Sequence, residues 1–250
     1  MTGSDLAKSV EDLHDACFPV VEKFVSINGE GLAAGQLAAF IRFAGCNLCC
    51  SYCDTAWAND PLVECERWSA RELVDWVREA RVAAVTLTGG EPLLQPQLIG
   101  LVRALADVRE PYPLRIEVES NGACDVKPLL LARDEAQESG AQGSVHVTLD
   151  WKTPSAGRTV SAAMLRENYA LLDERDVVKF VIGSLEDVAF AQKCIQEAQL
   201  EGRCGVLLSP VWGAIEPAEI VEAMKERGMI FARLQLQLHK IIWPHVDKGV

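Results

Sequence analysis

The loop 43–55 constrains this chain more than any other stretch. It reads Phe43-Ala44-Gly45-Cys46-Asn47-Leu48-Cys49-Cys50-Ser51-Tyr52-Cys53-Asp54-Thr55. Cys46, Cys50 and Cys53 are spaced C-x3-C-x2-C, with Tyr52 directly before the last of them. Three thiolates on one tight loop suit three irons of a [4Fe–4S] cluster, a group otherwise ligated by four cysteines. The remaining iron is then open to a ligand that is not protein. Cys49 permits a second set, Cys46, Cys49 and Cys53. The bland alternative is structural zinc, which wants four protein ligands, usually as two separated pairs. No histidine or second cysteine pair stands at a suitable spacing.

Composition narrows the class. The chain has 250 residues, of which 49% are hydrophobic, enough for one large domain with a sizeable core. A formal net charge of −12 argues against a general nucleic-acid binder. Nine cysteines, with several crowded into one loop, suit a reducing cytosol and a metal centre better than a disulfide scaffold. Residues 1–15 are polar and mixed in charge, with no apolar signal core. No run approaches the roughly 20 apolar residues of a membrane span. The expectation is a cytoplasmic protein with a flexible extension over 1–18 and a single domain over 19–250.

The pattern along the chain alternates strands and helices. Strands are expected at 20–26, 37–43, 82–88, 114–119, 144–149, 177–183, 205–209 and 231–238. Helices are expected at 98–108, 125–137, 161–172, 186–199 and 217–227. Another helix follows the capping box Ser69-Ala70-Arg71-Glu72, with Leu73, Val74, Trp76, Val77 and Ala80 on one face. Such alternation marks parallel βαβ units with right-handed crossovers. The count gives about six βα units plus an N-terminal strand, short of an eightfold barrel. Polar stretches fall at the C-terminal strand ends, where barrels place their chemistry. They are Cys46–Cys53, Gly89–Glu91, Glu119–Asn121, Asp150–Lys152 and Ser209-Pro210. Arg42 is a charge inside an apolar strand and reads either as an anion clamp or as a structural ion pair.

The cysteine spacing, with an aromatic residue before the last ligand, resembles the radical S-adenosylmethionine (SAM) superfamily. Gly89-Gly90-Glu91-Pro92, one βα unit later, is similar to that superfamily's GGE motif. The resemblance favours the 46/50/53 set and implies an α/β fold, a partial (β/α)6 barrel of the radical SAM type. It also implies a [4Fe–4S] cluster whose open iron holds SAM, the source of a 5′-deoxyadenosyl radical. Cofactors then carry the hard chemistry, while the protein orients and shelters it.

Three stretches narrow the resemblance. They are Ser26-Ile27-Asn28-Gly29-Glu30-Gly31-Leu32 with Phe40–Leu48, Cys53-Asp54-Thr55, and Leu236-Gln237-Leu238-His239-Lys240. Together they resemble the 7-carboxy-7-deazaguanine synthases of queuosine and other 7-deazapurine biosynthesis. That family contracts 6-carboxy-5,6,7,8-tetrahydropterin to 7-carboxy-7-deazaguanine and ammonia, with Mg2+ assisting.

The resemblance implies roles by position. Cys46, Cys50 and Cys53 would hold the cluster. Tyr52 and Asp54 would lie along SAM, Gly90 and Glu91 at its methionine end, and Asn121 near its ribose. Asp150, Trp151 and Lys152 would form a further SAM contact, although the family more often has Ser-Pro-Lys there. Ile27, Asn28 and Gly29 would offer backbone groups to the pterin, with Glu30 beside them. Arg42 would clamp the carboxylate, Thr88 would touch the ring, and Thr55 would ligate Mg2+, a cation that favours hard oxygen ligands. His239 would hydrogen-bond the substrate or be an ordinary strand-end histidine. A tail follows it, so the family's chain-end contact would fall to Val250.

The implied partners are a pterin substrate, a low-potential electron donor of flavodoxin or ferredoxin type, and a second copy in a homodimer, with no nucleic acid and no membrane. Two rivals stay open at this point. A radical SAM activase installing a glycyl radical on a partner protein would share the cluster and GGE. An iron–sulfur carrier would be expected to use four cysteines per cluster.

Overall fold

The strand Leu37–Phe43 shows how the fold is built. Side chains alternate across a strand. Here Ile41 and Phe43 enter the core, while Phe40 and Arg42 face a cavity. The same alternation recurs across the sheet and divides the molecule into an apolar outer layer and a polar inner face.

The computed structural model describes residues 17–250 apart from 61 and 247. Strands are β1 (Cys17–Ile27), β2 (Leu37–Phe43), β3 (Glu66–Ser69), β4 (Ala84–Gly89), β5 (Arg115–Ser120), β6 (Ser144–Lys152), β7 (Val177–Ile182), β8 (Gly205–Pro210) and β9 (Ala232–Leu234). Helices are α1 (Ala70–Ala80), α2 (Leu98–Ala106), α3 (Lys127–Glu138), α4 (Arg158–Ala162), α5 (Arg166–Ala170), α6 (Leu185–Glu197), α7 (Pro217–Glu226) and α8 (Leu238–Ile242). The strands form one sheet in the order β3-β1-β2-β4-β5-β6-β7-β8-β9. β1 is antiparallel to β2 and β3, and every pair from β2 to β9 is parallel. The sheet stays open, with β3 and β9 as edges, as a partial barrel requires. None of the described helices is long and apolar enough to cross a membrane.

The outer core is continuous. Val85 and Leu87 of β4, Ile116 and Val118 of β5, and Val147, Leu149 and Trp151 of β6 pack with Val178, Phe180 and Ile182 of β7. Leu73 and Val77 of α1 and Leu101 and Leu105 of α2 cover them. α1 starts at the expected capping box: Glu72 N donates to Ser69 Oγ at 3.2 Å, and Ser69 N donates back to Glu72 Oε2 at 2.7 Å. A capping interaction of this kind is worth about 1 kcal/mol.

Several expectations need correction. Most of the proposed extension, 1–16, lies outside the described residues. Cys17 and Phe18 instead begin β1, and Phe18 is buried 5.6 Å from the Phe43 ring. β3 was not expected, since Glu-Arg-Trp-Ser carries little apolar signal. It forms because 17–20 pair with it. The helix expected at 161–172 is two short ones, α4 and α5. Leu165 between them is extended, and its N–H donates to Gly122 O at 3.1 Å. The last strand is only Ala232–Leu234. Past Gln235 the chain leaves the sheet, and Leu238 N donates to Gly29 O at 3.0 Å, docking α8 on the β1–β2 loop.

Candidate active site

A cavity of about 480 Å³ opens at the C-terminal ends of the parallel strands. Its wall gathers Cys46, Cys50, Tyr52, Cys53, Asp54 and Thr55 from the loop after β2, and Thr88 and Gly90 from β4 and the turn after it. β5 and the turn after it add Glu119 and Asn121, β6 adds Asp150 and Lys152, and the β1–β2 segment adds Ile27, Gly29 and Glu30. Arg42, His239 and Val250 complete the expected residues on the wall. Cys49 is exposed and lies outside the lining, so the geometry groups Cys46, Cys50 and Cys53.

The cysteine loop is held by the neighbouring strand ends. Gly45 O accepts from Glu91 N at 2.8 Å, so the loop lies directly against Gly90. A Cβ on Gly90 would sit 1.9 Å from Gly45 O, which only glycine avoids. Asn121 Nδ2 donates to Asn47 Oδ1 at 2.7 Å and to Cys46 Sγ at 3.5 Å. Burial pushes the Cys46 and Cys50 thiols up, against Leu48 N–H and Asn121 at the first and the Lys152 charge at the second. Metal uptake requires such thiols to lose their protons.

Three expected residues stand elsewhere. Trp151 is 2% exposed and faces the outer core, stacked on Tyr169 at 4.1 Å and on Phe180 at 5.4 Å. β6 runs on through Lys152, so Asp150 and Lys152 point inward and Trp151 between them points out. Asn28 is also off the wall. Its N–H donates to Gln36 O and its carbonyl accepts from Gly35 N, both at 2.8 Å, so its backbone groups are engaged in closing the turn. Glu91 is fully buried under the loop. Its Oε1 accepts from Leu93 N at 2.9 Å and its Oε2 from Asn121 N at 2.7 Å. It therefore pins two strand ends together from beneath the cavity.

Burial raises the Glu91 carboxyl from 4.5 to about 7, against the N–H groups of Asn121 and Leu93. In the unfolded chain it titrates near the ordinary value. The native state therefore keeps a proton that the unfolded state loses between about pH 4.5 and pH 7. This group accordingly costs stability as pH rises through that window, up to about 3 kcal/mol. In metal-free protein, Glu91→Gln is expected to lack that slope, and at low pH to be about 1–3 kcal/mol less stable because its NH2 faces a backbone donor. Urea melts of both proteins over the pH range check this. Parallel stability curves would show that Glu91 does not titrate there.

Lys179 and Trp212 join the wall without a sequence expectation behind them. Lys179 of β7 bonds Glu30 Oε2 at 2.9 Å and lies 3.2 Å from Asp150 Oδ1. Lys152 Nζ donates to Asp150 Oδ2 at 2.6 Å. A lysine inside the apolar run Val177-Val178-Lys179-Phe180-Val181-Ile182 is the signal that could have found it, as it did for Arg42. Glu119 is a half-buried carboxyl raised by desolvation despite the Lys179 charge. Trp212 lies at the mouth and is 59% exposed. Arg42 realises the ion-pair reading, its Nε donating to Glu22 Oε1 at 2.7 Å, and still reaches the wall. His239 lies on α8, not at a strand end, and burial lowers its basicity. The tail folds back over the loop, with Lys248 Nζ 4.0 Å from the Trp57 ring and Val246 on the wall.

The radical SAM superfamily model matches residues 40–168. A 7-carboxy-7-deazaguanine synthase from Clostridium acetobutylicum is 41% identical over 93% of this chain and 99% of its own. The chain belongs to the 7-carboxy-7-deazaguanine synthase family. Its relative from Chlorobaculum tepidum is 35% identical over 94% of this chain and 99% of its own. The fold matches the crystal structure of QueE from Escherichia coli with a TM-score of 0.68 at 19% identity, covering 92% of this chain and 98% of that one.

The residues fit the groups this radical SAM family implies. Three thiols reach one cavity, and among the described residues no three Cys, His, Asp or Glu side chains close on a single-ion point. Beside the thiols the same wall carries Tyr52, Asp54, Asn121 and Lys152, polar and charged side chains suited to a zwitterionic cofactor next to the cluster. The Thr55 side chain makes no capping bond to the short helix Ala56–Asn59, and its Oγ1 lies 3.7 Å from Cys53 Sγ on the cavity wall.

Proposed function

We propose that the protein contracts 6-carboxy-5,6,7,8-tetrahydropterin to 7-carboxy-7-deazaguanine and ammonia, using a [4Fe–4S] cluster, SAM and Mg2+. The observation that carries this is identity to synthases of that name along nearly the whole chain. The cavity supports it, because its lining carries both the three thiols and groups suited to a carboxylated pterin.

When bound, the cluster and SAM supply a radical that removes a hydrogen atom from the substrate. Cys46, Cys50 and Cys53 hold the cluster, and Tyr52, Asp54, Gly90, Asn121 and Lys152 line the SAM side. The Lys152 charge suits a carboxylate, and Asp150 fixes that lysine in place. Glu91 acts from beneath, setting the positions of Gly90 and Asn121. The free part of the Arg42 guanidinium meets the substrate carboxylate. Thr55 gives Mg2+ a hard oxygen, and the ion's template role would orient the same carboxylate. Ile27 and Gly29 present backbone, Glu30 accepts ring N–H groups, and Thr88 touches the ring. A Cβ on Gly29 would meet His239 Nδ1 at 2.5 Å, so glycine there lets the imidazole close on the ligand. Val250 and Val246 narrow the mouth and keep water from a reactive intermediate. A glycyl-radical activase would need that mouth open to a polypeptide.

The electron donor is assigned to the flavodoxin or ferredoxin type and the assembly to a homodimer. Unpaired cysteines at all nine positions suit a reducing cytoplasm. Anaerobic turnover of the reconstituted protein with SAM, reductant, Mg2+ and the carboxypterin tests the reading by mass spectrometry. Product without matching loss of SAM is expected. SAM cleavage with untouched pterin would overturn the substrate assignment.

A further inference from the structure

Lys179 is the one lysine inside the strand Val177–Ile182, and its neighbours Val178, Phe180 and Ile182 all point into the outer core. Its own side chain points inward and the residue is 8% exposed. Several elements present charge to it: Glu30 from the β1–β2 loop, Glu119 from β5, Asp150 and Lys152 from β6. His239 of α8 also acts on Glu30. On β8, Ser209 Oγ donates to Glu30 Oε1 at 2.7 Å, while Lys179 takes Oε2 at 2.9 Å. Glu30 is thus fixed by residues 149 and 179 positions away, although it sits in a loop whose own backbone could turn it elsewhere. Each carboxylate oxygen keeps a lone pair.

We propose that Lys179, supported by Ser209, is a positioning residue that holds the Glu30 carboxylate toward the cavity to accept the N–H edge of the substrate's aminopyrimidinone ring. The inference rests on the carboxypterin reading of this cavity. The pairing answers a physical need. Glu30 and Asp150 are largely buried carboxylates with side chains 13% and 18% exposed, and Lys152 already serves Asp150. An unpaired buried carboxylate takes a proton. An O–H would then replace one of the acceptors the ring requires. Lys179 prevents this: despite burial, its charge keeps the Glu30 carboxyl below its ordinary value.

The test measures binding of 6-carboxytetrahydropterin to reconstituted enzyme by anaerobic calorimetry, with SAM and Mg2+ and no reductant. Titrations run from about pH 6 to about pH 8.5, the range over which an unpaired buried carboxyl can titrate. Wild type is expected to bind with little pH dependence. If wild type does not bind at all, the functional reading fails and not this inference alone. Lys179→Met is expected to bind about 10- to 100-fold more weakly, the range for losing a charged hydrogen-bond partner. Its affinity should fall further as pH drops and Glu30 takes up a proton. Lys179→Arg should recover most of the affinity and the flat profile, and Lys193→Met, on the surface, should match wild type. Lys179→Met with wild-type affinity, or weakened equally at every pH, would overturn the proposal. Should Lys179→Met not fold, the Glu30→Gln/Lys179→Met pair decides. Affinity equal to Glu30→Gln alone supports the proposal, and additive losses overturn it.

Discussion

Cys50→Ala is expected to yield folded protein with neither a full [4Fe–4S] absorption spectrum nor turnover of the carboxypterin. Only three thiols reach the cavity wall from the loop, and among the described residues Cys49 is exposed outside it. Removing one thiol leaves two iron ligands where the cluster needs three from the protein. The fold should survive, because the loop is held by Gly90, Glu91 and Asn121, not by its sulfurs alone. Cys49→Ala is the matched control. Its activity and iron content should stay within about twofold of wild type, as for surface substitutions without special contacts. Iron and sulfide analysis with absorbance spectra reads both variants. The reverse pattern, with Cys49 essential and Cys50 dispensable, would assign the ligand set 46/49/53.

Trp151→Ala is expected to cost about 3–5 kcal/mol, the range for truncating a large buried aromatic residue. The indole fills the layer between β6 and α5, stacked on Tyr169 and Phe180, with Arg166 5.8 Å from its ring. Tyr169 Oη donates to Asp150 O at 2.9 Å, so the cavity left behind would also loosen the strand end that carries Asp150. Chemical denaturation of the metal-free protein gives the stability loss. SAM affinity measured well below the melting temperature should change far less. A large loss of SAM affinity with intact stability would return Trp151 to the cofactor side.

That contrast shows what the sequence could and could not reveal. Asp150-Trp151-Lys152 is legible as a strand-end motif, yet its parity depends on where the strand stops. With an end at Leu149 the triplet is loop; with an end at Lys152 alternation turns the tryptophan away. The limits of β2 and the Ser69 capping box were legible because apolar run and cap chemistry are local. The strand-end motifs were legible as a group because chain order alone places them on one rim. Lys179 and the burial of Glu91 were not, since both depend on partners far along the chain. Asn28 was misplaced for a related reason: whether a turn offers its backbone outward depends on which groups the turn consumes itself.

The division of each strand into an outward apolar set and an inward polar set also bears on how this protein can be changed. Phe40, Arg42, Thr88, Glu119, Asp150, Lys179 and Ser209 project inward from strands whose alternate residues build the outer layer. Substitutions drawn from the first set alter what the pocket recognises while the hydrophobic layer keeps its packing. Randomising an inward position outside the ion pairs, such as Thr88, would therefore search ligand preference with little effect on foldedness, whereas Arg42, Asp150 and Lys179 have to change together with their charged partners. Randomising the immediate neighbours of the inward set would search little except stability.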